Sequence, residues 1–176
     1  MSRMKSKGQA YSVFKLLIAA VVAVSILMIL FSILGGLDFF VTKDPMDEAQ
    51  KNVKKLVNEL GIPKKIGKVT FQPETILAAK PIAEGTQELS SDQVCVQVGP
   101  PYDEDARFEV LPRSIRYTGS TTQATGLWII CSRGKEIAQD IEDNGLTDEL
   151  DPDDCPDFDD ESSARFCIVS ITEESS

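Results

Sequence analysis

Residues 16–34 read LLIAAVVAVSILMILFSIL, a run of nineteen residues in which two serines are the only polar side chains. As an α-helix this run would be about 28 Å long, close to the roughly 30 Å hydrocarbon thickness of a bilayer. The buried helices of soluble proteins are usually shorter and amphipathic, whereas this run is apolar on every face. We therefore expect residues 16–36 to form a long hydrophobic helix that crosses a membrane once.

The charges on the two sides of this run predict its direction. The first fifteen residues carry four basic side chains and no acid, so the net charge of −10 for the whole chain leaves −14 for the remainder. Basic flanks stay in the cytoplasm. The sequence therefore predicts a basic cytoplasmic leader over residues 1–15, a single pass through the cell membrane with the lipid bilayer as a partner, and an extracellular C-terminal domain from residue 44 onward.

A second motif precedes the apolar run. Lys7-Gly8-Gln9-Ala10-Tyr11-Ser12-Val13-Phe14 leads directly into it and resembles the class III signal peptide of archaeal type IV pilin-like proteins. The resemblance covers residues 5–34 and implies cleavage between Gly8 and Gln9, after which the apolar helix serves as the core of a filament. Many members of that family have a glutamate five residues after the cut, where this chain has Val13. An ordinary uncleaved signal anchor is the alternative.

Composition excludes several classes of function. The chain has no histidine, which removes the commonest general base and the commonest transition-metal ligand. It also lacks a phosphate-binding loop, a dinucleotide-binding glycine motif and a nucleophile elbow. Because a strongly acidic chain repels phosphate backbones, nucleic-acid binding is disfavoured. We therefore expect a protein that is not an enzyme and does not bind nucleic acid.

The segment 44–61, DPMDEAQKNVKKLVNELG, has the pattern of an amphipathic helix. Asp44 is suited to cap its N-terminus, Pro45 to occupy the first helical position and Gly61 to follow its end. Its apolar residues recur at spacings of three and four, which predicts one apolar stripe that packs on the domain. A contact between helices along a filament is the alternative. The residues of this stripe are Val53, Leu56, Val57 and Leu60.

Beyond residue 62 the pattern changes to short apolar stretches separated by proline, glycine and polar residues. The predicted strands cover residues 68–71, 76–81, 93–98, 108–111, 114–117, 126–131 and 165–171. Strands this short with frequent turn residues are typical of an antiparallel sheet or sandwich. We therefore expect an α+β fold: a long N-terminal hydrophobic helix, followed by a small antiparallel, β-rich and sandwich-like exterior domain over residues 62–176.

Four cysteines all lie in the C-terminal part of the chain. An even number of cysteines outside an oxidising boundary indicates two disulfides, for which three connectivities are open. We favour Cys95 with Cys131, which would tie two strands, and Cys155 with Cys167, which would close an acidic loop onto the last strand. A zinc site is disfavoured because no C-x-x-C pair and no histidine is present.

Twelve of the 28 acids lie in residues 140–161, which contain no basic residue and which we call the acidic segment. Residues 140–151, DIEDNGLTDELD, fit a twelve-residue calcium loop and resemble the calcium loops of thrombospondin type 3 repeats, with Gly145 at the turn. The alternative, which we favour because its capping is complete, is a short helix that ends at Asn144-Gly145. No cofactor is therefore assigned, and calcium belongs to the less favoured alternative. Its ligands would be Asp140, Glu142, Asn144, Asp148 and Asp151.

Together these features predict a structural cell-surface protein, a pilin-like subunit that associates with itself or with other pilin-like subunits through its apolar helix. The first alternative is a membrane-tethered binding module that recruits calcium or a basic partner through its acidic segment. The second alternative is an accessory subunit of a larger membrane complex. The mature N-terminus and incorporation into filaments would distinguish them.

Overall fold

The computed structural model describes residue 15, residues 17–26 and residues 43–174. The chain divides into two compact units, Met1–Thr42 and Lys43–Ser176. In the first unit, residues 15 and 17–26 are helical. The helices of the second unit are α1 (Pro45–Leu56), α2 (Ala79–Thr86) and α3 (Gly134–Asp143). Its strands are β1 (Lys64–Phe71), β2 (Ile76–Ala78), β3 (Val94–Val98), β4 (Phe108–Leu111), β5 (Ser114–Tyr117), β6 (Gln123–Arg133) and β7 (Arg165–Thr172).

The structure contradicts the prediction of a membrane-spanning helix. Among the described residues, no helix has the length and apolar character needed to cross a bilayer. The long hydrophobic helix over residues 16–36 and the single-pass placement in the cell membrane are therefore not supported. The predicted cleavage point between Gly8 and Gln9 lies outside the described residues.

Helix α1 begins where its capping residues predict. The Asp44 carboxylate accepts hydrogen bonds from the backbone N–H groups of Met46 at 2.8 Å and Asp47 at 3.3 Å, and Pro45 follows it. These bonds satisfy N–H groups that have no partner within the first turn. The helix ends at Leu56, earlier than the segment 44–61 predicts, and Gly61 lies beyond it with a φ of +76°.

The larger sheet is mixed, not antiparallel throughout. Its strand order is β1-β6-β7-β3, and the last strand of the chain, β7, lies between β6 and β3. β7 pairs with β6 in the antiparallel direction and with β3 in the parallel direction. A second sheet of order β2-β5-β4 is antiparallel. The positions of β4 and β5 are those predicted from the sequence, and the remaining strands differ from their predicted bounds mainly at the ends.

Helices lie on both faces of the larger sheet, so the domain is not the expected sandwich of two sheets. On β7, Cys167, Val169 and Ile171 belong to a core with α1, α2 and the second sheet. The alternate residues Phe166 and Ile168 belong to a second core with α3. Because successive side chains of a strand face opposite sides, one strand supplies both cores. The α+β class is retained, whereas the long apolar helix and the sandwich are not.

Helix α2 replaces the second half of a predicted strand over residues 76–81. Its buried residues Ala79, Ile82, Ala83 and Thr86 are spaced by three, one and three, which is a helical period. Pro81 is tolerated because it lies in the first turn, where its missing N–H would have no partner within the helix. The strand therefore ends at Ala78.

Candidate functional site

The acidic segment begins with a helix and not with a metal-binding loop. Helix α3 ends at Asp143 with Asn144 as its C-cap, and Gly145 adopts a φ of +66°. The backbone N–H of Leu146 then donates to the carbonyl of Ile141 at 3.0 Å. This glycine-terminated end satisfies carbonyls that the helix leaves without a partner. The capping pattern thus predicted the local structure, and residues 140–143 lie in α3.

The carboxylate of Asp140 is engaged in packing α3 against the sheet. It accepts a short hydrogen bond from the hydroxyl of Ser132, a residue that is only 1% exposed at the end of β6. A Cβ added at Gly61 would lie 3.1 Å from Asp140 Oδ2. The side chain of Asn144 donates to the carbonyl of Asp140 at 2.7 Å. Asn144 also donates to the carbonyl of Gly61 at 3.4 Å. Of these two predicted ligands, Asp140 therefore joins α3 to the end of β6, and Asn144 joins it to the segment that precedes β1.

The other predicted ligands are not brought together with them. Glu142 and Asp148 are exposed, on α3 and in the turn that follows it. The Asp151 carboxylate accepts a hydrogen bond of 2.9 Å from the backbone N–H of Asp153 and caps the short helix Pro152–Asp154. In the part of the chain that the structure describes, no three acidic, cysteine or histidine side chains are placed to hold a metal ion.

All four cysteines form disulfides, as the sequence predicts, but with a different pairing. Cys131 on β6 is bonded to Cys167, its direct partner on β7, with 4.1 Å between the two Cα atoms. Cys95 on β3 is bonded to Cys155 in the acidic segment. The favoured pairing of Cys95 with Cys131 and of Cys155 with Cys167 is therefore wrong. That pairing did not take into account that β7 lies between β6 and β3, which places Cys167 beside Cys131.

Contacts from several elements hold the acidic segment after α3 in place. Besides the Cys95–Cys155 bond, Arg113 forms an ion pair of 2.8 Å with Asp157. The first two N–H groups of α3 donate to the carbonyls of Ala164 and Ser162, both at 3.0 Å. These carbonyls satisfy donors that a helix N-terminus leaves free. The segment is thus fixed at both of its ends and near its middle.

A cleft of about 390 Å³ lies between α3 and this segment. Its floor is apolar and includes Ile141, Leu150 and Phe158, and the ring of Phe158 packs on that of Phe166 with 5.5 Å between the centroids. Its rim carries exposed carboxylates. We call this site the acidic cleft, with the rim residues Glu142, Asp153 and Asp160.

A second cleft, of about 310 Å³, separates the turn before β3 from the end of the acidic segment. Asp92 lines it, and a hydrogen bond from Ser90 lowers the pKa of Asp92 below its usual value. Arg165, on the opposite wall, is paired with Glu88 at 2.5 Å. Sequence reasoning missed this cleft because the parallel pairing of β3 with β7 brings its walls together, and the sequence carries no local pattern for that pairing.

Three other groups with displaced pKa values lie near the turn before β4. Hydrogen bonds from the Arg107 guanidinium and backbone lower the pKa of Asp105, and the same contact raises the pKa of Arg107. Burial raises the pKa of Tyr102. The Asp105 carboxylate also accepts from the backbone N–H of Arg107 at 3.0 Å, so this pair shapes the turn. We assign these groups a structural role.

No protein-family model, curated protein or solved structure matches the chain. The resemblance of residues 5–34 to class III signal peptides stays a prediction.

Proposed function

We propose that the chain is a structural subunit of a pilin-like filament, which associates with other copies through the apolar side chains of residues 17–26. The observation that supports this proposal is the exposure of large apolar side chains along this helical stretch. Single exposed apolar residues are ordinary on protein surfaces, but a contiguous group of them marks an interaction surface. The exposed fractions are 58% for Leu17, 48% for Ile18, 58% for Val21, 50% for Val22, 51% for Val24 and 52% for Ile26.

The distribution of these side chains around the helix favours more than one neighbour. At about 100° per residue, the six side chains fall across a sector of about 200°. A helix that packs on one partner needs an apolar stripe of about 100°. The wider sector therefore supports contact with at least two neighbouring copies, as a filament requires.

The energetic gain from such contacts is of the same order as the cost of assembly. Complete burial of a valine, leucine or isoleucine side chain stabilises by about 1.5–3 kcal/mol, so burial of an exposed half contributes about 1 kcal/mol. Six such contributions per copy would have to exceed the cost of lost translational and rotational freedom. The resemblance of residues 5–34 to pilin-like leaders supports the same assembly, because it implies that the apolar helix becomes the filament core.

Sedimentation velocity of the full chain tests this proposal. We expect wild type to form species larger than a dimer, and a variant with Val21→Ser, Val22→Ser and Val24→Ser to sediment as a monomer. The second unit supplies a matched control, in which three exposed apolar residues become serine: Ile62→Ser, Ile76→Ser and Val110→Ser. The control should assemble as wild type does. Equal assembly of all three proteins would contradict the proposal.

The mass of the mature N-terminus tests the pilin-like part separately. Processing of the pilin type would leave Gln9 as the first residue of the protein. An intact Met1 would remove pilin-type cleavage from the proposal, while association through residues 17–26 would still be decided by sedimentation.

A further inference from the structure

We propose that the acidic cleft binds a cationic polypeptide segment in which lysine or arginine residues flank one large apolar side chain. The site involves only residues of the second unit. It goes beyond the self-association proposed above and does not rest on it.

The floor of the cleft fits the apolar part of such a ligand. A volume of about 390 Å³ lies within the usual range of ligand pockets. Of the three floor residues, Ile141 and Leu150 are nearly fully buried, whereas Phe158 is half-buried and presents part of its ring to the cleft. Insertion of a leucine-sized side chain would remove the exposed parts of Phe158 and of Ala138 on α3 from water.

The carboxylates on the rim are available to an external cation. Glu142, Asp153 and Asp160 are exposed, and none of them forms an ion pair with another described residue. Among the twelve acids of residues 140–161, Asp157 is the one with an ion-pair partner in the described chain, and it lies outside the cleft. The rim therefore presents uncompensated negative charge around an apolar floor.

The charge of the domain excludes a second copy of it as the preferred ligand. From residue 43 onward the sequence contains 14 basic and 27 acidic residues, a net charge of −13. Two such domains repel each other, and the repulsion is strongest where the acids are most concentrated. A basic partner is attracted by the same field, which also accelerates its encounter with the cleft.

The spacing of the carboxylates favours a polypeptide over a metal ion. Hard cations such as calcium require six to eight oxygen ligands converging at about 2.3–2.6 Å. Within residues 43–174, the acidic side chains do not converge in this way. Carboxylates spread around an apolar floor instead match several separate ammonium or guanidinium groups on either side of one apolar side chain.

The walls of the cleft are fixed before a ligand arrives. One wall is α3, and the other is the segment held by the Cys95–Cys155 bond and the Arg113–Asp157 ion pair. Because this segment is already ordered without a ligand, its ordering adds little conformational-entropy cost to binding. A short peptide can therefore bind measurably despite the small number of contacts.

Fluorescence anisotropy with a labelled peptide of sequence Lys-Lys-Leu-Lys-Lys and the full chain tests the proposal. Neutralising the rim with Glu142→Gln, Asp153→Asn and Asp160→Asn should weaken binding about tenfold, the sum expected for three exposed charge contacts. The matched control removes three exposed carboxylates of the same segment that do not line the cleft, with Asp148→Asn, Asp154→Asn and Glu161→Gln. This control should weaken binding less than about threefold, since only long-range attraction is lost.

The apolar floor is tested with two further comparisons. Replacing the leucine of the peptide by serine should weaken binding at least about fivefold, because the anchor is removed. Ala138→Phe, at an exposed position of α3 that lines the cleft, should block the leucine peptide without a change of charge. Thermal melting of each variant shows whether it is folded. If Ala138→Phe does not fold, the comparison of the leucine and serine peptides on wild type tests the floor.

Two results would overturn the proposal. If the rim variant and its control lose affinity equally, binding depends on the net charge of the protein and is not localised at the acidic cleft. If the serine peptide binds as tightly as the leucine peptide, or no binding of either is measured, the cleft takes no apolar anchor.

Discussion

Removal of the Cys95–Cys155 disulfide should cost about 4 kcal/mol of the free energy of unfolding. The bond joins residues 60 positions apart, and the loop-closure relation gives about 4.3 kcal/mol for a loop of that length. For Cys131–Cys167, with a separation of 36, the same relation gives about 3.8 kcal/mol. The two bonds should therefore contribute similarly to global stability.

Their local effects should differ. Cys131 and Cys167 face each other in a ladder that pairs β6 with β7 from Gly126 to Arg133, so backbone hydrogen bonds keep the strands together without the disulfide. The acidic segment around Cys155 has no such ladder and depends on the bond and on the Arg113–Asp157 ion pair. Loss of the Cys95–Cys155 bond should release this segment in the folded protein.

Two double variants separate these effects. Cys95→Ala with Cys155→Ala and Cys131→Ala with Cys167→Ala are compared by urea unfolding and by limited proteolysis under native conditions. Both should lower the free energy of unfolding by about 2–5 kcal/mol. Only the first should show early cleavage within residues 151–164. A cost below about 1 kcal/mol for the first variant would refute the loop-closure reasoning.

The pairing itself is tested by a single substitution. In Cys95→Ala, the one free thiol should be that of Cys155, which alkylation and peptide mapping identify. A free thiol at Cys131 would instead support the pairing of Cys95 with Cys131 that the sequence favoured.

Further predictions concern capping, backbone conformation and pH. Asp44→Ala should lower the free energy of unfolding by about 1 kcal/mol, since two N–H groups lose their acceptor; thermal or urea unfolding measures this. Gly61→Ala should destabilise by more than Gly145→Ala: both have positive φ, but an added Cβ meets a carboxylate at 3.1 Å only at Gly61, and no atom within 4 Å at Gly145. Because Arg107 lowers the pKa of Asp105 below 3.8, the stability advantage of wild type over Asp105→Asn should be complete above about pH 5 and disappear as the pH falls through the lowered pKa. Unfolding curves across this pH range check the sign, and a constant difference would contradict it.

Local patterns predicted the local elements well. Asp44 and Pro45 marked the start of α1, and Asn144-Gly145 marked the end of α3, because capping depends on neighbouring residues alone. The alternation of apolar residues and the turn residues located β4 and β5. The sequence 79–86 was misassigned in part because a short apolar stretch with alanine and proline fits a strand end as well as a helix start.

The pairing of strands that are distant in the chain could not be predicted from local sequence patterns. The insertion of β7 between β6 and β3 sets the parallel pairing, places Cys131 against Cys167 and leaves Cys95 for Cys155. The acidic cleft also depends on this insertion, because the Cys95–Cys155 bond attaches one wall of the cleft to β3. The hydropathy of residues 16–34 measures their preference for an apolar environment. It does not distinguish burial in lipid from burial against protein.

Photo-crosslinking tests the association through residues 17–26 most directly. A photoreactive amino acid placed at Val21 of the full chain, followed by illumination and peptide mapping, identifies the residues that contact this position in another copy. Our account predicts crosslinked dimers and larger products in which Val21 is joined to residues 17–26 of a neighbouring copy. Crosslinks only within one chain, or only to residues 43–174 of another copy, would contradict it.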